Sequence, residues 1–170
     1  KSNRIIAAVL GCTFLASCAT VNPGYVGVKN TFGRLNGGIH EPGLVFTGLF
    51  SQLITVPIRT VNKEVKLNLP STEGLNVKAE ISILYHVEKN SVVSIINDLG
   101  IDDENVLSLS SCRAASADVC AKFYAKDMHS GMRSAIEQNI LEKMQGLIGD
   151  RGFVIDAVLL KSISLPDGLY

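Results

Sequence analysis

The stretch from Val61 to Val87 limits the possible folds more than any other. Val61, Val65, Leu67 and Leu69 fall on one side of an extended chain, and Asn62, Glu64, Lys66 and Asn68 on the other. After a turn-rich break from Pro70 to Leu75, Val77, Ala79, Ile81, Ile83, Tyr85 and Val87 alternate with Asn76, Lys78, Glu80, Ser82, His86 and Glu88, and only Leu84 is out of phase. Successive side chains on a strand point to opposite faces, so this period of two predicts two long strands, each with one dry and one wet face. A short break between them predicts an antiparallel pair.

The flanking segments supply the other layer. Tyr25, Val26 and Val28 begin a strand, and Phe32 to Gly38 supply turn residues for a tight hairpin or loop. His40 to Phe46 and Leu53 to Thr60 read as extended, with Pro57 restricting the latter to an edge or a bulge because it has no N–H for a ladder. Asn90 or Ser91 caps a short helix that ends at Gly100. A longer helix, about 104 to 124, places Leu109, Cys112, Val119, Cys120 and Phe123 near one stripe. Another, about 127 to 149, carries Met132, Ile136, Ile140, Met144, Leu147 and Ile148 at helical spacing, with Arg133, Glu137, Glu142 and Lys143 outside the stripe. Gly149 and Gly152 stop it, and Phe153 to Leu165 forms a last strand before Pro166. The fold class is α+β, a largely antiparallel sheet packed by helices.

The first residues follow different rules. Lys1 and Arg4 precede an apolar run from Ile5 to Leu15, and small residues Ala16 and Ser17 lead to Cys18. This is the layout of an export signal, and the run falls short of the roughly 20 apolar residues that a spanning helix needs. Leu15-Ala16-Ser17-Cys18 resembles the bacterial lipoprotein signal, the lipobox. That resemblance implies cleavage before Cys18, a diacylglyceryl group on its thiol, and often a further acyl chain on the new amino group. Residues 1–17 are then a signal peptide, 18–22 a lipidated tether and 23–170 the folded domain. The mature chain has 170 − 17 = 153 residues. A buried methylene contributes about 0.8 kcal/mol, so two or three acyl chains form a durable link to membrane lipid. Alanine at position 19 resembles the sorting pattern for the outer membrane, which is favoured over the inner. The implied location is the exported, periplasmic side of a bacterial envelope.

Composition removes several function classes. Sixteen basic and sixteen acidic residues give no net charge, and aromatics are only 6% with no tryptophan, so nucleic acid is not an expected partner. His40 in a turn, His86 on a wet strand face and His129 near a helix start form no ligand spacing, and no phosphate-binding glycine loop is present. Asp102, Asp103 and Glu104 suit a helix N-terminus better than calcium, because spaced ligands and a loop glycine are missing. Cys112 and Cys120 are eight residues apart on one predicted helix, about 12 Å and too far for a disulfide. They read as small core residues, or as one thiol pairing between subunits. No catalytic residue, metal site or cofactor is assigned, and Cys18 is the single site residue.

A family resemblance covers most of what remains. Val21-Asn22-Pro23-Gly24-Tyr25-Val26-Gly27-Val28, Phe32-Gly33, Pro42-Gly43-Leu44, Pro57 before Val61, and the turn Ser71-Thr72-Glu73-Gly74-Leu75-Asn76-Val77 resemble the stomatin, prohibitin and flotillin family, the SPFH or band 7 domain. Arg113 falls where that family carries an arginine in its first long helix, and Gly152 with Leu165-Pro166 resembles the usual exit from the domain. The resemblance implies a non-catalytic, membrane-anchored scaffold that forms homo-oligomers and organises or regulates membrane proteins. The alternative is a module that binds one client, such as a membrane protease or envelope protein. Relatives usually anchor on the cytosolic side and continue past the proline into a coiled coil. The lipobox replaces the first feature, and the expectation for the second is that the present sequence is a fragment ending where that helix begins.

Overall fold

The computed structural model describes residues 18–48, 50–100, 103–129 and 131–164. The expected signal peptide and the Leu165-Pro166 exit lie outside them. The chain divides into two compact units, one ending at Ile58 and one starting at Arg59.

Among the described residues of the first unit the regular elements are strands: β1 (Cys18–Val21), β2 (Tyr25–Thr31), β3 (Arg34–His40), β4 (Gly43–Phe46) and β5 (Ser51–Pro57). β1 and β4 make a two-stranded antiparallel ribbon, and β2 lies between β3 and β5 in a three-stranded antiparallel sheet. Val21, Val26, Val28, Val45, Ile54 and Val56 form its core. Gly27 lets the ribbon close on the sheet, since a Cβ there would sit 2.8 Å from Val21 Cγ2 and 2.9 Å from Leu53 Cδ1. Pro57 ends an edge strand, where its missing N–H leaves no gap in a ladder.

Sequence expectations change around the β2–β3 hairpin of this unit. The expected turn from Phe32 to Gly38 contracts to Phe32 and Gly33, whose φ angles of +52° and +81° have the sign that both central residues of a two-residue hairpin need. Arg34 onward is strand, and a register shift opposite Val28 and Lys29 takes up the glycines at 37 and 38. His40, expected in a turn, is the last residue of β3.

The second unit is built on β6 (Val61–Pro70), β7 (Asn76–Val87) and β8 (Phe153–Ser164), antiparallel in that order. Val65, Leu67 and Leu69 of β6, the six alternating apolar residues of β7, and Phe153, Ile155, Val158 and Leu160 of β8 are buried, and they line one face. Each large apolar side chain buried this way contributes about 1.5–3 kcal/mol. The predicted pair and its phase are therefore present. The wet face is less open than the alternation implies, because Ser82 is buried and donates to Asn62 Oδ1 at 2.6 Å.

Among the described residues four α-helices connect β7 to β8: α1 (Val92–Leu99), α2 (Asp103–Cys120), α3 (Ala125–His129) and α4 (Arg133–Ile148). Gly100 ends α1 with φ +79°, but Ser91 is helical and makes no side-chain cap, and a single 3₁₀ turn from Lys89 starts the helix instead. The predicted second long helix is broken into α3 and α4. On α4, Ile136, Ile140, Met144 and Ile148 are buried as predicted, whereas Leu147, and Met132 just before the helix, are exposed. Glu137, expected outside the stripe, is partly covered, and its Oε1 accepts the Leu160 N–H at 2.7 Å. Gln145 Nε2 donates to the Phe153 carbonyl at 3.1 Å, and its Oε1 accepts the Ile155 N–H at 2.9 Å. Side chains of α4 thus satisfy the free backbone edge of β8, which would otherwise invite another strand.

The face of α2 differs from the prediction. Cys112, Val119 and Cys120 are buried, but Ser108, Ser111, Ala115 and Ser116 share that face, and Leu109 is only half-buried. Small side chains let α2 approach its neighbours closely, which a search for large apolar residues does not detect. The turn between β6 and β7 finishes this helix. Thr72 N–H donates to the Phe123 carbonyl at 3.0 Å, and Thr72 Oγ1 donates to the Ala121 carbonyl at 2.8 Å.

Gly152 joins the helices to β8 with φ +90°, and a Cβ there would lie 2.0 Å from Ser91 Cβ. A left-handed residue other than glycine costs about 1–3 kcal/mol before any clash. Gly152→Ala should therefore destabilise the chain by at least about 2 kcal/mol, read as a lower midpoint in urea. Gln145→Ala strands one donor and one acceptor and should cost about 1–3 kcal/mol in the same assay.

Candidate functional site

Cys18, the predicted lipid-bearing residue, is the first residue of β1 and is exposed. The stretch expected to serve as a tether is strand from Cys18 to Val21, held by the register Cys18↔Phe46, Ala19↔Val45, Thr20↔Leu44 and Val21↔Gly43. Paired residues share a face, so Cys18 and Thr20 lie beside Phe46 and Leu44. Phe46 and Leu44 are 60% and 75% exposed, while Val21 and Val45 point into the core. The thiol therefore stands at one corner of an apolar, solvent-facing ribbon.

The other two described cysteines occupy a different environment. Cys112 and Cys120 are buried and free. Burial raises the Cys112 thiol above its usual range, an effect opposed by a hydrogen bond from Ser116 and by the charge of Arg113. Burial alone pushes Cys120 up to about 11. Both read as core residues, in line with the expectation drawn from their spacing, and a bridge to another subunit would require α2 to open first.

The polar clusters pin strands together. β8 shifts register twice against β7, and the residues passed over are Lys161 and Asp156. A bulge re-aims the side chain it carries. Lys161 reaches across to pair with Glu64 of β6, which raises the lysine's pKa. Asp156 accepts from His86 Nδ1 at 3.0 Å to each carboxylate oxygen, and from Thr60 Oγ1 at 2.9 Å. Because the Thr60 hydroxyl bonds the carboxylate rather than the imidazole, the cluster is not wired as a nucleophile, base and orienting acid. It ties the start of β6, the end of β7 and the first bulge of β8 into one surface network.

A shallow groove of about 450 Å³ on the wet face is lined by Lys66, Asn68, Lys78, Glu80, Ser162 and Ser164. Its mixed charges define no single substrate class. Among the described residues no group of three histidine, cysteine or acidic side chains could hold a metal ion, and no helix is long and apolar enough to cross a membrane. Asp102 and the side chains of Asp103, Glu104 and His129 lie outside the described set.

These features describe a strand-rich unit with an apolar corner joined in sequence to an α+β unit whose polar clusters are structural. A family model described as "SPFH domain / Band 7 family" matches residues 19–170. The chain belongs to the SPFH/band 7 family. The match starts at Ala19, so it takes in β1 except for its first residue, Cys18. No curated protein matches the chain.

Proteins with band 7 domains are generally membrane-associated scaffolds, and the family is generally non-enzymatic. Some of the residues that carried the resemblance have visible structural roles. Ser71 to Leu75 form the turn that finishes α2, with Gly74 at φ +79° and the Leu75 N–H donating to Ser71 Oγ at 3.2 Å. Gly152 makes the turn into β8. Arg113 is exposed on α2.

The buried thiols generate a pH prediction. A thiol whose pKa is raised by folding is favoured as the neutral form, so its contribution is complete below the unfolded value of 9.0 and is lost as pH rises from there toward about 11. Stability measured by urea denaturation should fall over that window and fall less in Cys120→Ala, once that variant's loss at pH 7 is subtracted. In native protein at pH 8, a thiol reagent should modify neither Cys112 nor Cys120, and both should react in denaturant.

Proposed function

We propose that this band 7 chain is a non-catalytic scaffold, fixed to the membrane by acyl chains on Cys18, that self-associates at the membrane surface and organises or regulates membrane proteins there. The observation that carries the reading is Cys18 itself. It follows a lipobox-like sequence, and it is exposed at the start of the first strand instead of being buried as the other two described thiols are. An acyl chain at that position would leave the domain with only a few ångströms of slack, because β1 is already paired at its first residue. The domain would lie against the lipid on the exported side of a bacterial envelope, with the outer membrane favoured by Ala19.

The polar clusters support the non-catalytic part of the reading, since Asp156, His86, Thr60, Lys161 and Glu64 satisfy one another across strands. Homo-oligomerisation is the part of the proposal suggested by the resemblance to scaffold-forming relatives.

Two measurements test it. Cys18→Ser should abolish incorporation of labelled fatty acid and leave an uncleaved precursor, and normal labelling and processing in that variant would refute the anchor. Mass photometry of the acylated protein should show a large homo-oligomer with no other protein added. A monomer that becomes stable only with a membrane protease or envelope protein would replace the scaffold with the client-binding module.

A further inference from the structure

The two outer edges of the β6-β7-β8 sheet differ. On β8, Glu137 and Gln145 of α4 satisfy free backbone groups. β6 has no such cover: among the described residues it pairs only with β7, and no hydrogen bond from another element reaches its main chain. Its single proline, Pro70, stands at the very end, so the row of free N–H and C=O groups runs along most of the strand. An edge of this kind is a template for another strand.

The charges on β6 indicate which strand fits. Its wet face carries Asn62, Glu64, Lys66 and Asn68, all exposed, and its other face Val61, Lys63, Val65, Leu67 and Leu69. Consider an antiparallel strand of identical sequence related by a two-fold axis at Val65. Glu64 then faces Lys66 of the partner subunit, Lys66 faces the partner subunit's Glu64, and Asn62 faces Asn68 of the partner subunit. The dry faces stay continuous, because Val65 meets its own counterpart. Moving the axis by one residue, to Glu64 or to Lys66, sets like charges directly opposite each other, which is destabilising. Charges on an edge usually prevent pairing; in this order they favour one register. Lys63 meets Leu67 of the partner subunit there, and its methylene stem can lie on the leucine with the ammonium in water. Within the chain Lys161 pairs with Glu64, and Lys66 lies opposite Glu80, so the join prolongs a row of alternating charge across both copies.

We propose that β6 is a self-pairing edge, at which two copies of the chain join antiparallel about a two-fold axis at Val65 to make one continuous sheet. The proposal rests on the self-association proposed above and names its contact and symmetry. A two-fold contact uses the same patch on both copies and closes on itself, so it makes dimers, and any larger assembly needs a second surface. An extended segment of another protein is the rival occupant. A second copy is favoured because the charges of β6 complement themselves.

Two sets of variants of the full chain test it. Asn62→Cys/Asn68→Cys puts two exposed thiols about 20 Å apart on one strand, too far to bridge within a chain. Across the axis each meets the other's counterpart, so mild oxidation in membranes should give a disulfide-linked dimer. Asn62→Cys or Asn68→Cys alone should give none, because identical positions in the two copies are equally far apart. Asn62 also accepts a hydrogen bond from Ser82, and the second set leaves that bond in place. Glu64→Lys and Lys66→Glu should each lower the dimer fraction seen by sedimentation in detergent, and the double variant Glu64→Lys/Lys66→Glu should restore it. If these charges act only within the chain, the double variant is the worst of the three, since it sets like charges against both Lys161 and Glu80; that order overturns the proposal. Equal cross-linking by the single cysteine variants, or cross-linking of the double one to another protein in place of a second copy, also overturns it. No cross-link in a preparation that is still a large oligomer removes the β6 contact and leaves the scaffold, whereas no cross-link in a monomer removes both. Cross-linked dimers with no larger species keep the β6 contact and remove the large scaffold.

Discussion

The second unit depends on the pairing of β8 with β7 after a separation of more than sixty residues. β7 is the central strand, and its buried residues Val77, Ala79, Ile81, Ile83, Tyr85 and Val87 need both neighbours and the helices to stay dry. β6 comes at little entropic cost through a short turn. β8 closes a much longer loop, and its place depends on the helices as well, because α4 supplies the groups that satisfy its outer edge. The closure point is correspondingly tight. Gly152 passes so close to Ser91 that no side chain fits, and the Glu88 N–H donates to the Gly152 carbonyl at 2.9 Å, fixing the end of β7 against the start of β8.

That constraint accounts for the polar chemistry of this unit. A strand that must match β7 while following α4 shifts register twice, and the two residues displaced by those shifts are the ones that bind across the sheet. Asp156 and Lys161 could be taken for site residues, since one holds a histidine and the other a glutamate. Their place at bulges gives them a structural purpose, and exposed pairs of this kind contribute little beyond register. The same holds for the Ser71 to Val77 turn, whose threonine accounts for two carbonyls at the end of α2. In this domain the motifs that identify the family are folding devices, and the surfaces available for function lie elsewhere.

The first unit has the complementary character. It has few charges, its strands are short, and its apolar residues divide between a small core and an exposed corner that includes the partner of Cys18.

Much of this was legible in the residues. The period of two from Val61 to Val87 determined β6, β7, their dry face and their antiparallel pairing, because side-chain direction on a strand is a local property. The spacing Ile136, Ile140, Met144, Ile148 determined the buried stripe of α4 for the same reason, and the ordered set of turn motifs determined the family. Other features are not local. The buried face of α2 uses serine and alanine, whose small size is an advantage only against a neighbour that the sequence does not name. The roles of Glu137 and Gln145 depend on an edge strand that arrives later in the chain. Residues 18–21 look like a tether until β4 is found to pair with them. Sequence alone determined which residues can be dry and which turns can be made; tertiary structure decided which polar groups meet and which apolar ones stay exposed, because both depend on distances between segments far apart in the chain.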